Sequence, residues 1–209
     1  MLRVLFFTSL CLVSSTLLAQ KPVKPKFHKT DTTDYQVIGA PMPKLIITTL
    51  FDTAKEKHYN VVIDKKESHK KKRIRQNEFD HNLKLHEKLV VTQDDLNNDA
   101  NLFVMMFNPN CSHCEDMTEE IEKYNKYFVK SKWVMVAHKT NKILLPNFIK
   151  SFKINDYPFM YIGADSVNFN DNAYMFKALP QINIYDHNRK LIKYYAGDIP
   201  MDSLAAYIE

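Results

Sequence analysis

Glycine is nearly missing from this chain: Gly39, Gly163 and Gly197 are the only three in 209 residues. That scarcity argues against a Gly-rich architecture that cradles phosphate, and no phosphate-binding motif is present. A strong excess of one charge is missing too. With 29 basic and 24 acidic side chains the net charge is only +5, and no nucleic-acid motif is visible. The excess is densest in one run, Lys65-Lys66-Glu67-Ser68-His69-Lys70-Lys71-Lys72-Arg73. Such runs usually form a solvated helix face or loop; the other reading is a surface for an acidic partner or an anionic membrane. Cysteine is as scarce as glycine: Cys11, Cys111 and Cys114. What remains is ordinary. The hydrophobic fraction is 45%, enough to bury a core within one elaborated domain.

The first residues read as an export signal. Arg3 supplies a short positive region, residues 4–18 are apolar, and Ala19 offers a small residue for cleavage before Gln20. The apolar stretch is shorter than the roughly 20 residues a spanning helix needs. Residues 1–19 are therefore expected to be a signal peptide, with an uncleaved anchor as the alternative, and no stable membrane insertion is expected once it is removed. Cys11 leaves with the signal, and Leu10 before it is not the residue of a lipoprotein site. Export to the periplasm or beyond leaves two cysteines three positions apart. That spacing closes so small a ring that it removes little entropy from the unfolded chain. The pair is poorly explained as a staple and better explained as chemistry.

Residues 20–36 are polar, with Pro22 and Pro25, and read as a flexible leader. Residues 37–209 form the expected domain. A strand is expected over 45–50, and residues 64–88 are a charged insertion that fits a helix or a hairpin equally well. A short strand is read at 89–91. The continuous apolar run at 102–107 is the signature of a strand buried on both faces. A helix is expected over 115–130, then a strand at 133–137, which makes a β-α-β unit with parallel strands. Further along, helices are expected at 145–152, 172–178 and 201–208. Strands are expected at 159–162, 181–185 and 191–195, the last two antiparallel about a turn at 186–189. The fold class is α/β, a central mixed β-sheet flanked by helices, with an N-terminal extension.

Cys111-Ser112-His113-Cys114 stands between the buried strand and the helix that follows. Free backbone N–H groups and the macrodipole at a helix start favour an anion, so a thiolate at Cys111 is stabilised. Cys114, one turn later and more buried, is placed to resolve a mixed disulfide. His113 adds an imidazolium that would stabilise the thiolate and make the disulfide a stronger oxidant; otherwise it is a solvent-facing helix residue. Ser112 is read as a possible cap.

Phe107-Asn108-Pro109-Asn110-Cys111-Ser112-His113-Cys114 after a buried strand resembles the thioredoxin-like superfamily, as does Leu179-Pro180 before a strand-turn-strand ending in Ala196-Gly197. The export signal and Ile38-Gly39-Ala40-Pro41-Met42-Pro43 are similar to its bacterial periplasmic TlpA/ResA-like branch. The resemblance implies the thioredoxin-like fold and a thiol–disulfide oxidoreductase without cofactor. It also implies that Pro180 is a cis-proline packed against the cysteines, occupying the space a metal would need, and that the Leu179 backbone binds an extended substrate. Implied partners are exported proteins with thiols or disulfides and a redox partner protein. Three positions depart from the family pattern: Asn110 replaces a tryptophan, Met105 a buried acid, and Leu179 a small polar residue.

The residues also fit two other functions. Cys111 and Cys114 with His113 or His138 could carry Cu(I), although His81 and His86 do not have the i, i+4 spacing of a helical metal pair. Alternatively, the domain is a binding module that has lost efficient turnover. Asp94-Asp95, Glu119-Glu120 and Asp165 read as caps, turns or solvated faces. Tyr194 and Tyr195 are expected to place one ring in the core and one outside. Phe169 and Tyr174 are expected in the core, with a groove near Leu179 as the alternative.

Overall fold

The computed structural model describes residues 33–49, 68–85, 88–174 and 178–209. The expected signal, most of the leader, Cys11, His86 and the start of the charged insertion lie outside the described residues. Residues 34–209 are one compact unit.

The sheet forms around the chain's most apolar stretch. Strands β1 (Ile46–Thr48), β2 (Val90–Thr92), β3 (Leu102–Phe107), β4 (Lys132–Ala137), β5 (Met160–Asp165), β6 (Gln181–Tyr185) and β7 (Leu191–Ala196) run in the order β2-β1-β5-β4-β3-β6-β7. β3, β4 and β5 are parallel, while β1, β2, β6 and β7 join antiparallel to their neighbours. All six residues of β3 are buried, as its unbroken apolar run requires. Because side chains alternate, Phe103, Met105 and Phe107 enter one core and Leu102, Val104 and Met106 the other.

The helices are α1 (His69–Leu85), α2 (Ser112–Lys123), α3 (Leu145–Ser151), α4 (Phe169–Ala173) and α5 (Met201–Ala205). Apolar residues of α2, α3 and α5 pack on the first core, and Phe169 and Ala173 of α4 on the second. Aromatic rings thicken the first core: Phe103 stacks on Trp133 at 5.2 Å and Phe128 on Phe159 at 4.3 Å. Gly163 is required by close approach, since a Cβ there would lie 2.7 Å from the Thr48 carbonyl oxygen of β1.

Several expectations shift. The charged insertion contains α1, a helix rather than a hairpin, whose Lys71 N–H reaches the Ser68 hydroxyl before it at 3.4 Å. The helix expected over 115–130 starts at Ser112 and stops at Lys123, and a 3-10 turn, Asn125–Tyr127, completes it. The expected 172–178 helix lies earlier, as α4, and residues 175–177 are outside the described set. Gln181 and Asn183, polar positions of an alternating strand, are buried. Their amides donate to the Ala173 carbonyl at 3.0 and 3.3 Å, satisfying the open end of α4. Tyr194 and Tyr195 are both partly buried, packing on opposite cores. Arg189, read as a turn residue, is buried and donates to the Leu96 and Ala100 carbonyls at 2.7 and 3.0 Å.

One buried charge stands out. Lys132, at the start of β4, is 0% exposed and its Nζ has no hydrogen-bond partner. The nearest counter-charge is Glu78 Oε2 of α1, 3.8 Å away. Burial holds the ammonium down to about 8. The folded chain therefore binds fewer protons than the unfolded one between about pH 8 and the ordinary lysine value near 10.4. Stability rises with pH across that window, and below it the ammonium's full burial cost is present. Replacing the pair with apolar residues, Lys132→Met with Glu78→Leu, should stabilise the fold at pH 7 by about 1–4 kcal/mol. The gain should shrink as pH rises past 8. Denaturant titrations at pH 7 and 9.5 check this, with Glu78→Ala alone expected to destabilise.

Candidate active site

β3 ends at Phe107, and Asn108-Pro109-Asn110 turn the chain into α2. The Asn108 side chain accepts the Asn110 N–H at 3.0 Å, and its carbonyl accepts the Cys111 N–H at 3.0 Å. Cys111 then occupies the cap position of α2 with extended backbone, φ −108° and ψ 115°. Its carbonyl accepts the N–H groups of Cys114 and Glu115, both at 3.0 Å. Cys111, rather than the expected Ser112, is thus the cap, and Ser112 is the first helical residue. Its side chain makes no capping hydrogen bond, and Cys111 stands at the end of α2 where the first-turn N–H groups are free.

The two thiols differ in environment. Both are free, Cys111 partly exposed and Cys114 buried. Cys114 packs in the first core, and Thr118 returns a hydrogen bond to its carbonyl at 2.8 Å. Burial, then the adjacent Cys111 thiol, push the Cys114 thiol well above the ordinary cysteine range. Its Sγ belongs to a dry helix face; that of Cys111 looks outward, 3.9 Å from the Leu179 carbonyl, to which the thiol donates.

The loop that supplies this carbonyl contains a cis Leu179-Pro180 bond. Pro180 is buried and Leu179 partly exposed. Next to the loop, the Gly197 N–H donates to the Pro180 carbonyl at 2.9 Å, and Gly197 adopts φ 76°, which favours glycine. The residue after it, Asp198, meets the dithiol helix: Oδ1 is 2.6 Å from His113 Nδ1. His113 is exposed, with its ring on this carboxylate. Cys111, Cys114 and His113 of one helix start therefore meet Leu179 and Pro180 of one loop and Asp198 of another.

A cavity of about 410 Å³ opens beside Leu179, lined also by Met106, Phe107, His138, Asp171 and Tyr174. Tyr174, expected in the core, is partly exposed here, whereas Phe169 is buried as expected. Burial and the nearby Cys114 thiol raise the Tyr174 phenol. His138 does not turn to the thiols; its Nδ1 lies 2.8 Å from the Thr140 hydroxyl. Among the described residues no group of three or more His, Cys, Asp or Glu side chains is arranged to hold a metal. Nor is any helix among them long and apolar enough to cross a membrane. Asp165 caps α4, accepting the Val167 and Asn170 N–H groups at 3.0 and 2.9 Å. Asp95 caps the turn after β2 and pairs with Lys88, and Glu120 pairs with Lys123 on the surface of α2 at 2.6 Å.

Asp198 was invisible as a site residue in the sequence. The only local signal is its place directly after Gly197, and no spacing rule links position 198 to position 113.

No protein-family model matches the chain, and no curated protein matches it. Solved structures do. A candidate protein disulfide isomerase from Bacteroides thetaiotaomicron, 15% identical, superposes with a TM-score of 0.53 over 83% of this chain and 89% of its own. A candidate thiol:disulfide interchange protein DsbE from Chlorobium tepidum is 13% identical with a TM-score of 0.50, covering 82% of this chain and 93% of its own. A thioredoxin-like superfamily protein, 15% identical, also reaches 0.50 over 82% of this chain and 94% of its own. These likenesses, with the mixed seven-stranded sheet flanked by helices, give the chain the thioredoxin-like fold.

Proposed function

We propose that this chain is a protein thiol–disulfide oxidoreductase acting on exported proteins through Cys111 and Cys114. The observation that carries the reading is the asymmetry of the pair. One thiol is partly exposed at a helix start and faces the Leu179 carbonyl, and its neighbour is buried with its proton held tightly. Nucleophile and resolving thiol are thereby distinguished. His113 is the group that modulates the nucleophile. Leu179 and Pro180 form the wall against which a substrate strand lies. Export is part of the same proposal, in keeping with the apolar segment at residues 4–18 and with the TlpA/ResA-like pattern of residues 38–43.

In the reducing direction the Cys111 thiolate attacks one sulfur of a substrate disulfide. A Cys111–substrate disulfide forms, and the other substrate sulfur leaves as a thiolate and takes up a proton. The Cys114 thiol then loses its proton and attacks Cys111 Sγ. The Cys111–Cys114 disulfide forms, and the second substrate thiol is released. The substrate has gained two electrons and two protons, and the enzyme has lost them. A dithiol partner restores the enzyme by the reverse exchange. While Cys111 is a thiolate, its charge opposes ionisation of Cys114. Once Cys111 is bonded to substrate that repulsion is gone, so the resolving thiolate forms when it is needed.

No contact supports copper carriage: the His113 ring lies on Asp198 and that of His138 on Thr140.

Three measurements test the proposal. Iodoacetamide on the reduced folded chain at pH 7 should label Cys111, with Cys114 labelled only after unfolding; equal labelling would remove the asymmetry. Cys111→Ser should abolish disulfide turnover with insulin, whereas Cys114→Ser should accumulate mixed disulfides. Full activity in both variants would overturn the mechanism, and stoichiometric exchange without turnover would identify a binding module. Because the Cys114 thiol is raised, resolution of the mixed disulfide should speed up as pH increases from 6 to 8, read by acid-quenched gel shift.

A further inference from the structure

We propose that Asp198 is a positioning residue that restrains His113 and thereby keeps the Cys111–Cys114 disulfide from being a strong oxidant. The inference rests on the oxidoreductase reading and adds to it a determinant of the site's redox poise. His113 is the second residue of α2, between the two cysteines in sequence. An imidazolium there, with no carboxylate near it, would lend its positive charge to the Cys111 thiolate and stabilise the dithiol state. The structure gives that charge another partner. Nδ1 lies 2.6 Å from Asp198 Oδ1, while Cys111 Sγ donates to the Leu179 carbonyl at 3.9 Å.

Backbone links hold the carboxylate in place. Gly197 is tied to the Pro180 carbonyl at 2.9 Å, and Pro200, two residues past Asp198, leads directly into α5. The loop can deliver Asp198 to the start of α2 because β7 is registered on β6, with Ala196 opposite Gln181. The small cleft around the ring is lined by Asp116 and Glu120 of α2 as well as by Asp198, over Met117 and Ile199. Glu120 is engaged by Lys123 at 2.6 Å, and Asp116 is exposed on the helix. Asp198 alone among these carboxylates makes the short contact to the imidazole. Removing its charge leaves an imidazolium without a close counter-ion and also takes a negative charge away from the thiolate. Both changes favour the thiolate. The pair is exposed, 57% for His113 and 82% for Asp198, so water and salt limit the effect to a modest factor.

The test is Asp198→Asn in the full chain at pH 6 and low salt, where screening of the pair is weakest. Two quantities are read: the thiolate fraction by its ultraviolet absorbance, and the disulfide exchange equilibrium with glutathione. The expected result is a two- to fivefold rise in the thiolate-to-thiol ratio and a shift of the exchange equilibrium toward the dithiol, approaching the same factor where the thiolate dominates. A fivefold shift corresponds to about 20 mV at roughly 30 mV per tenfold change. Asp198→Glu should retain the wild-type values. In a His113→Ala background the Asp198→Asn effect should fall below half. An unchanged or smaller thiolate fraction overturns the proposal, as does an undiminished effect without His113. A purely structural role would lower the melting temperature without a shift that depends on His113. If glutathione never drives Cys111 and Cys114 into a disulfide, the oxidoreductase reading fails, while the thiolate absorbance still decides the role of Asp198.

Discussion

The register of β6 on β3 is the constraint from which the rest of the site follows. Met106 stands opposite Gln181. Since the strands are antiparallel, the residues just after β3 must lie beside those just before β6. Cys111 is four positions past Phe107, and Leu179 two before Gln181, so the pairing brings thiol and carbonyl to 3.9 Å. The next pairing repeats the logic. Ala196 opposite Gln181 puts Gly197 against Pro180 and delivers Asp198 to the start of α2. A one-residue slip of β6 would exchange its two faces, driving Gln181 and Asn183 into the core that now holds Ile182 and Ile184. The amide bonds from Gln181 and Asn183 to the Ala173 carbonyl resist that slip. Residues far from the sulfurs thus fix the geometry at them.

What the sequence makes legible follows from local rules. An unbroken apolar run has few alternatives to a strand buried on both faces, and β3 is one. Two cysteines with a two-residue gap before an amphipathic segment announce a helix start, and α2 begins there. Legibility stops where partners are chosen by tertiary structure. Residues 64–88 have no clean period, because α1 carries its charges on both exposed and half-buried positions and begins with a basic turn that opposes its own dipole. Its docking depends on contacts such as Asn82 with the Tyr161 hydroxyl at 2.8 Å, which no spacing reveals. Gln181 and Asn183 look like the outward face of an alternating strand, and they are buried because a helix end needs donors. α2 ends at Lys123, seven residues before the apolar and aromatic spacing suggests, because its last aromatics, Tyr124 to Phe128, continue as a 3-10 turn that carries Phe128 back onto the sheet.

Charge is handled differently at the two ends of the sheet. At the start of β4, Lys132 is buried with no hydrogen bond, and Glu78 at 3.8 Å, with Asp99 beyond it, balances its charge. At the other end, the ionisable groups His113 and Asp198 stay near water, where their interaction is weak and adjustable. An exposed pair contributes little stability, and in the proposed mechanism small changes in it bear on the Cys111 sulfur at the start of the same helix. A buried pair at that position would fix the site's potential; an exposed one leaves it open to pH, salt and an approaching substrate.

Met105 completes this picture. The thioredoxin-like pattern has a buried acid at this position, and the resemblance implies that such an acid relays the resolving thiol's proton. Here the side chain is a buried methionine within the core that also holds Cys114. The resolving cysteine is left in apolar surroundings, and its thiol is raised chiefly by burial. Its deprotonation then depends on what happens at Cys111. As a thiolate, Cys111 repels a second charge; as a mixed disulfide, it exerts no such repulsion. In the proposed mechanism substrate capture removes that repulsion while the burial that chiefly raises Cys114 persists, so its proton passes to water and the resolving step keeps its dependence on pH.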